Sequence, residues 1–247
     1  MRGNGGDLRR HVRVPTPFTA VLLERESPRA LHLVNMSVTG ALICGLAEVE
    51  IGEQVRLVLS LSSSGAVALA ARVVRKPSLV EDSNEFAVVF TQLENGTQEL
   101  LRDAVSWELS KRLRELRPEV VIVDRSSMVR QPIRQALVEF GVRNIQEVTS
   151  PLEAILCLAK RPRASVTSFV GSPVGSCNSL ELAVFLAQDY PNVRVVALVG
   201  VREGNLDYPF GTRRSVGVEV LAQPWTSLHV ASLMLDRRTA RGARSAS

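Results

Sequence analysis

The sequence predicts two domains of different class: a small six-stranded antiparallel β-barrel closed by a C-terminal helix, then a flavodoxin-like, doubly wound α/β sheet. Three observations predict it. The 247 residues suit two domains of ordinary size. Between Phe18 and Phe90 the apolar residues fall in short β-branched-rich runs separated by turn clusters. From Glu119 onward, apolar strands alternate with amphipathic helices, which is the pattern of a parallel sheet covered on both faces.

Residues 1–8 are Gly-rich and polar and read as a flexible arm that orders only on meeting a ligand or partner. Six strands follow at 18–23, 30–34, 40–44, 54–61, 66–74 and 85–90. Turn residues separate them, as at Ser62-Ser63-Ser64-Gly65 and Glu81-Asp82-Ser83-Asn84. Asn95-Gly96-Thr97 ends the strands, after which Leu101, Val105, Leu109, Leu113 and Leu116 recur on one helix face. Lys111, Arg112, Arg114 and Arg117 gather where positive charge complements the helix dipole, and Pro118 stops the helix. The barrel domain is thus expected over 9–116.

The α/β domain is expected over 119–236. Strands are read at 120–123, 144–148, 166–170, 193–199 and 216–221, and helices at 128–140, 151–160, 180–188 and 226–235. The stretch 202–215, with Gly204, Pro209 and Gly211, admits only a short or broken helix. Residues 237–247 form an Arg/Ser/Ala tail with nothing to bury.

Composition narrows the function classes. The net charge of +5 points to anionic partners, but much of the excess lies in the two ends, so nucleic acid is not expected. Cys44, Cys157 and Cys177 are too scattered for a disulfide framework or a metal clip. No leading segment has signal-peptide order, and no apolar run reaches the roughly 18 residues of a membrane span, so a cytoplasmic location is expected. No G-x-S-x-G, H-E-x-x-H, P-loop or G-x-G-x-x-G occurs, and His11, His32 and His229 have no Cys or carboxylate at catalytic or ligand spacing. Arg125-Ser126-Ser127-Met128 is no phosphate cradle for a flavin. An enzyme, a metal site and a cofactor are therefore not expected.

The residues that do carry chemistry lie near the start. Arg9 and Arg13 place two guanidinium forks four residues apart, and Asn35, Ser37 and Gly40 supply an amide, a hydroxyl and a turn. Guanidinium forks match phosphate oxygens and the O6/N7 edge of guanine, while Asn and Ser bond other base edges. The combination predicts an anionic guanine nucleotide as ligand.

Arg9-x-x-x-Arg13 followed 22 positions later by Asn35-x-Ser37-x-x-Gly40 resembles the paired signature of PilZ domains, R-x-x-x-R and D/N-x-S-x-x-G. The strands and closing helix suit the six-stranded PilZ barrel, with Ala71-Arg72-Val73-Val74 and Phe86-Ala87-Val88-Val89-Phe90 in the late-strand positions. The resemblance implies binding of cyclic di-GMP. Arg9 and Arg13 would then grip phosphates and guanine edges, Arg10 would stack on a base, Asn35 and Ser37 would bond a guanine, and Gly40 would permit a positive φ or a close backbone approach. His11 falls at a variable position of the motif.

The second domain resembles a response-regulator receiver that has lost its chemistry. A working receiver holds Mg²⁺ with an acidic pair, accepts phosphate on an Asp after the third strand, and places a Ser or Thr after the fourth strand and a Lys before the last helix. Here Asp124 is followed by Arg125, the phosphoacceptor position is read at Phe169 or Ser168, the Ser/Thr position at Val199 and the Lys position at Gln223. A pseudo-receiver that accepts no phosphate is expected. Its output is expected through protein contacts at Tyr208, Pro209, Phe210 and Trp225. The resulting expectation is a bacterial cyclic di-GMP signalling adaptor acting on motility or surface behaviour, with a nucleotide-independent scaffold as the alternative.

Overall fold

The computed structural model describes residues 12–23, 28–45, 49–61, 65–76, 84–161, 164–171, 179–199 and 217–235. Arg9, Arg10, His11, Cys177, Tyr208, Pro209, Phe210, the expected break at 202–215 and the 237–247 tail lie outside them. The chain divides into two compact units, residues 1–109 with 237–247 and residues 110–236.

The first unit is built from β1 (Val14–Pro15), β2 (Thr19–Leu23), β3 (Pro28–Ser37), β4 (Gly40–Cys44), β5 (Gln54–Leu61), β6 (Gly65–Arg75) and β7 (Glu85–Thr91). Every pairing is antiparallel. The order β3-β2-β5-β6-β7-β4 closes on itself through β3–β4, so six strands form a barrel and β1 is an added rung on β3. The period-2 pattern explains the interior. Along β5, Val55, Leu57, Leu59 and Leu61 are buried while Gln54, Arg56 and Ser60 face out. β1 was absent from the expected strands because two residues carry no periodicity.

Helix α1 (Asn95–Leu116) begins six residues before the first residue of the expected apolar face, Leu101. Asn95-Gly96-Thr97, expected as a turn, forms its first turn, where the N–H groups need no intrahelical partner and a poor helix former costs little. Leu101, Val105, Leu109 and Leu113 are fully buried along its length. Arg117 adopts φ 46° and donates its N–H to Leu113 O at 3.0 Å, an αL cap just ahead of Pro118.

The second unit contains β8 (Glu119–Val123), α2 (Ser127–Glu139), β9 (Asn144–Val148), α3 (Pro151–Ala159), β10 (Val166–Val170), α4 (Ser179–Asp189), β11 (Val193–Val199), β12 (Val218–Ala222) and α5 (Ser227–Ser232). Its strands are all parallel in the order β12-β11-β10-β8-β9, the flavodoxin-like winding. Helices α3 and α4 bury Ala154, Leu158, Ala183 and Leu186 against Val121, Val123, Val170 and Val195. Helices α2 and α5 pack against each other. The fold class is the one the hydrophobic pattern predicts.

Candidate functional site

The added rung β1 brings the two halves of the arginine and asparagine motif together. Val14 lies opposite Met36 and Pro15 opposite Asn35, so the same register carried one residue further sets Arg13 across from Ser37. Val14 and Met36 are fully buried in the barrel core. Because alternate residues of a strand point to opposite faces, Arg13, Pro15, Asn35 and Ser37 share the other face of this ribbon.

Asn35 reaches that face because Val34 is looped out of the β3 ladder. Leu31 and Leu33 point into the core, and unbroken alternation from them would send Asn35 inward as well. Leu33 pairs with Ile43 but Asn35 pairs with Leu42, so Val34 is inserted as a bulge. The bulge shifts the phase of the strand, giving the core Met36 and the outer face Asn35.

Each side chain then has a distinct state. Asn35 is partly exposed as a residue, yet its Oδ1 is buried and has no hydrogen-bond donor. Ser37, expected to bond a base, is buried and engages its own turn: Oγ donates to Gly40 O at 3.1 Å and accepts from Thr39 N at 3.3 Å. Gly40 is demanded by close approach, since a Cβ there would lie 2.4 Å from Val88 O on β7. Of the two reasons for a glycine, a positive φ or a close backbone, the second holds. Arg13 is partly buried at the start of the ribbon. Taken together, the described residues form a small face with one guanidinium, one unsatisfied amide carbonyl and a turn rigid enough to hold it. That face can bond an anionic ligand that also presents N–H donors.

At the carboxyl end of the second unit's sheet, Asp124 is 1% exposed. Its Oδ1 accepts from Ser126 N at 2.6 Å, and Oδ2 has no hydrogen-bond partner. The residue directly after β10 is Gly171, whose N–H donates to Val123 O at 2.9 Å and whose Cβ, were there one, would lie 1.8 Å from Asp124 Oδ2. This corrects the expected phosphoacceptor position by two residues or more. Ser168 and Phe169 are interior to β10 and fully buried, and Gly171 stands where a receiver needs its carboxylate.

The other positions read as a receiver's lie at neighbouring strand ends. Arg125 occupies the second acidic place, exposed, and Gln223 follows β12 in the place of the Lys. Val199 ends β11. Arg130 donates through Nη1 to Asp124 O at 2.6 Å and Arg125 O at 3.1 Å and through Nε to Glu147 at 3.0 Å, which fixes a cation at the same strand end. One carboxylate closed against a glycine beside a bound guanidinium does not make the oxygen cage Mg²⁺ requires. Among the described residues no group of three His, Cys, Asp or Glu side chains could hold a metal, and no helix is long and apolar enough to cross a membrane.

Residues 7–107 match the family model of the PilZ domain, and the second unit has a receiver-like, doubly wound parallel fold. A curated relative, protein-glutamate methylesterase/protein-glutamine glutaminase 3 of Hahella chejuensis, is 32% identical over 87 residues. That match takes in 35% of this chain and 24% of the relative, so the chain matches about a quarter of that protein's length.

Among solved structures, the chain is similar to YcgR in complex with c-di-GMP from Escherichia coli at 17% identity, covering 44% of this chain and 48% of that one with a TM-score of 0.38. It is similar to the Bacillus subtilis inhibitor of motility MotI/DgrA at 20% identity, covering 42% and 53% with a TM-score of 0.37. A CheY-like receiver domain from Methanospirillum hungatei JF-1 is 16% identical, covering 51% of this chain and 98% of that one with a TM-score of 0.39.

Proposed function

We propose that this chain is a cyclic di-GMP receptor without enzymatic activity, in which the PilZ domain takes the nucleotide and the receiver-like domain passes the signal to a protein partner. The observation that carries the reading is the β1–β3 register, which sets Arg13 on the face of Asn35 and beside the turn held by Ser37 and Gly40. The PilZ family match supports the same ligand. Cyclic di-GMP supplies what such a face can bond: phosphates for the guanidinium of Arg13, with Arg9 and Arg10 completing the grip, and guanine N–H donors for Asn35. Nucleotide binding favours one arrangement of the arginine segment on the barrel and so changes partner affinity through differential binding to two states. Motility or surface behaviour is the output in this reading, and the cytoplasm the compartment.

Calorimetric titration of the full chain with cyclic di-GMP tests the receptor. Saturable binding weakened at least about tenfold, roughly 1.4 kcal/mol, by Arg13→Ala or Arg9→Ala is expected. Absence of binding by the wild-type chain at millimolar nucleotide sinks the reading. For the receiver-like domain, acetyl phosphate with Mg²⁺ is expected to leave the intact mass unchanged. A stable gain of one phosphate would overturn the assignment of Gly171 to the acceptor place.

A further inference from the structure

We propose that the amino-terminal end of β8 and β9 carries a further ligand site, for a small carboxylate with a hydroxyl or amino donor on the adjacent carbon, held by Arg143, Arg161 and Glu119. A cleft of about 490 Å³ opens there, lined by Glu119, Arg143, Asn144, Ile145, Gln146 and Arg161. Its volume lies within the roughly 300–1,000 Å³ of small-molecule sites. Topology sets the place. β9 is an edge strand of its sheet, so no further strand lies beside the cleft. Val121 and Val148 belong to the core beneath α3, and a side chain two residues upstream points the same way, which puts Glu119 and Gln146 on the α3 side. Arg161 enters from just past Lys160, the C-cap of α3.

Arg161 is already oriented without a ligand. Its Nη2 donates to Gln146 Oε1 at 3.2 Å, its Nη1 donates to Cys157 Sγ at 3.7 Å and its Nε lies 3.5 Å from Glu119 Oε2. Cys157 Sγ donates to the same Gln146 oxygen at 3.0 Å, which fixes the amide and leaves its N–H groups to donate elsewhere. Glu119 turns Oε2 inward, buried and without a hydrogen bond, while its side chain as a whole stays 35% exposed. Arg143 is exposed and has no partner among the described residues. Two guanidiniums beside one carboxylate leave this lining with one positive charge in excess, which repels a metal cation and attracts an oxyanion. A single excess charge suits a carboxylate better than a phosphate dianion, which Glu119 would repel. Because Glu119 stands so close to Arg161, the donor that meets it must sit next to the ligand's oxyanion. α-Hydroxy and α-amino carboxylates have that arrangement, and the rest of the cleft admits a substituent.

Chemical-shift titration of the isotope-labelled full chain tests the site with L-lactate, free L-alanine and propionate. The three share one carboxylate skeleton and carry a hydroxyl, an ammonium or a hydrogen on the adjacent carbon. Saturable shifts of the Gln146 side-chain amide are expected with lactate or alanine below about 10 mM, with propionate at least about fivefold weaker. Arg143→Ala, a change at an exposed position, is expected to weaken binding about tenfold and to leave thermal melting unchanged. Glu119→Leu is expected to bring lactate and propionate to equal affinity. Saturation by neither lactate nor alanine overturns the inference, as does binding that Arg143→Ala leaves unchanged. Propionate that binds wild type as tightly as the other two overturns the role of Glu119, and this comparison decides even if Glu119→Leu does not fold. Inorganic phosphate that saturates the Gln146 amide more tightly than either acid overturns the choice of carboxylate. None of these outcomes bears on cyclic di-GMP, whose proposed site shares no residue with this one.

Discussion

Thr16, next to Pro15, has a buried hydroxyl with no hydrogen-bond partner. Val differs from Thr by exchanging that hydroxyl for a methyl, so Thr16→Val removes a desolvated oxygen and keeps the shape. The variant is expected to leave stability unchanged or raise it by up to about 1 kcal/mol. A fall in the urea midpoint would show that the hydroxyl is bonded after all. At this scale the motif residues were legible, because Asn35, Ser37 and Gly40 are spaced as a turn spaces them. Their states were not. The spacing of Ser37 from Gly40 does not tell a hydroxyl that meets a base from one bonded back to Gly40 O, and the cause of Gly40 lies in Val88, nearly fifty positions away.

Among the elements, α3 has a start fixed by side chains. Ser150 Oγ accepts from Glu153 N at 3.2 Å, and Glu153 Oε2 accepts from Thr149 N at 2.7 Å and from Thr149 Oγ1 at 3.1 Å. The Thr149 N–H, first among the causes, holds the Glu153 carboxyl below its ordinary value of 4.5. A carboxyl with a lowered folded-state pKa stabilises the fold above its unfolded value and loses that contribution as pH falls through the folded one. Glu153→Gln is therefore expected to lower the melting temperature at neutral pH, with the gap from wild type closing as pH drops below about 4.5. A gap that stays constant down to acid pH would show that the charge is not what caps the helix.

Legibility of the elements followed length and period. β4, β5, β9, β10 and β11 matched their expected bounds because unbroken apolar runs or strict alternation ended at turn residues. β1 and the early turn of α1 were hidden. The first is held by partner residues about twenty positions away, and the second is composed of residues that read locally as a turn.

For the whole molecule, the division between units falls inside α1, after Leu109, so one helix belongs to both. In the reading proposed above the second unit keeps the sheet without the reaction, since fold and site are separable. Gly171 borders the buried Asp124: a Cβ there would lie 1.8 Å from Asp124 Oδ2, so any side chain must displace that carboxylate. Gly171→Ala is expected to destabilise this unit by about 1–3 kcal/mol in denaturant unfolding. An unchanged midpoint would mean that the Asp124 side chain moves aside easily. The class of this unit was plain from strand–helix alternation, whereas the place of its missing carboxylate was misread, because hydrophobic patterning locates a strand's body better than its last residue.

The bulge at Val34 makes the proposed nucleotide site a matter of parity. A strand of β3's length can carry Asn, Ser and Gly in the proper order and still direct the amide into the barrel, depending on whether Val34 is looped out or taken into the ladder. Loss of Val34 would restore plain alternation from Leu33 and leave the asparagine outside, whereas drawing Val34 into the ladder would leave every motif letter in place and turn the asparagine inside out, so deletion of Val34 should spare binding where a change that removes the bulge should not.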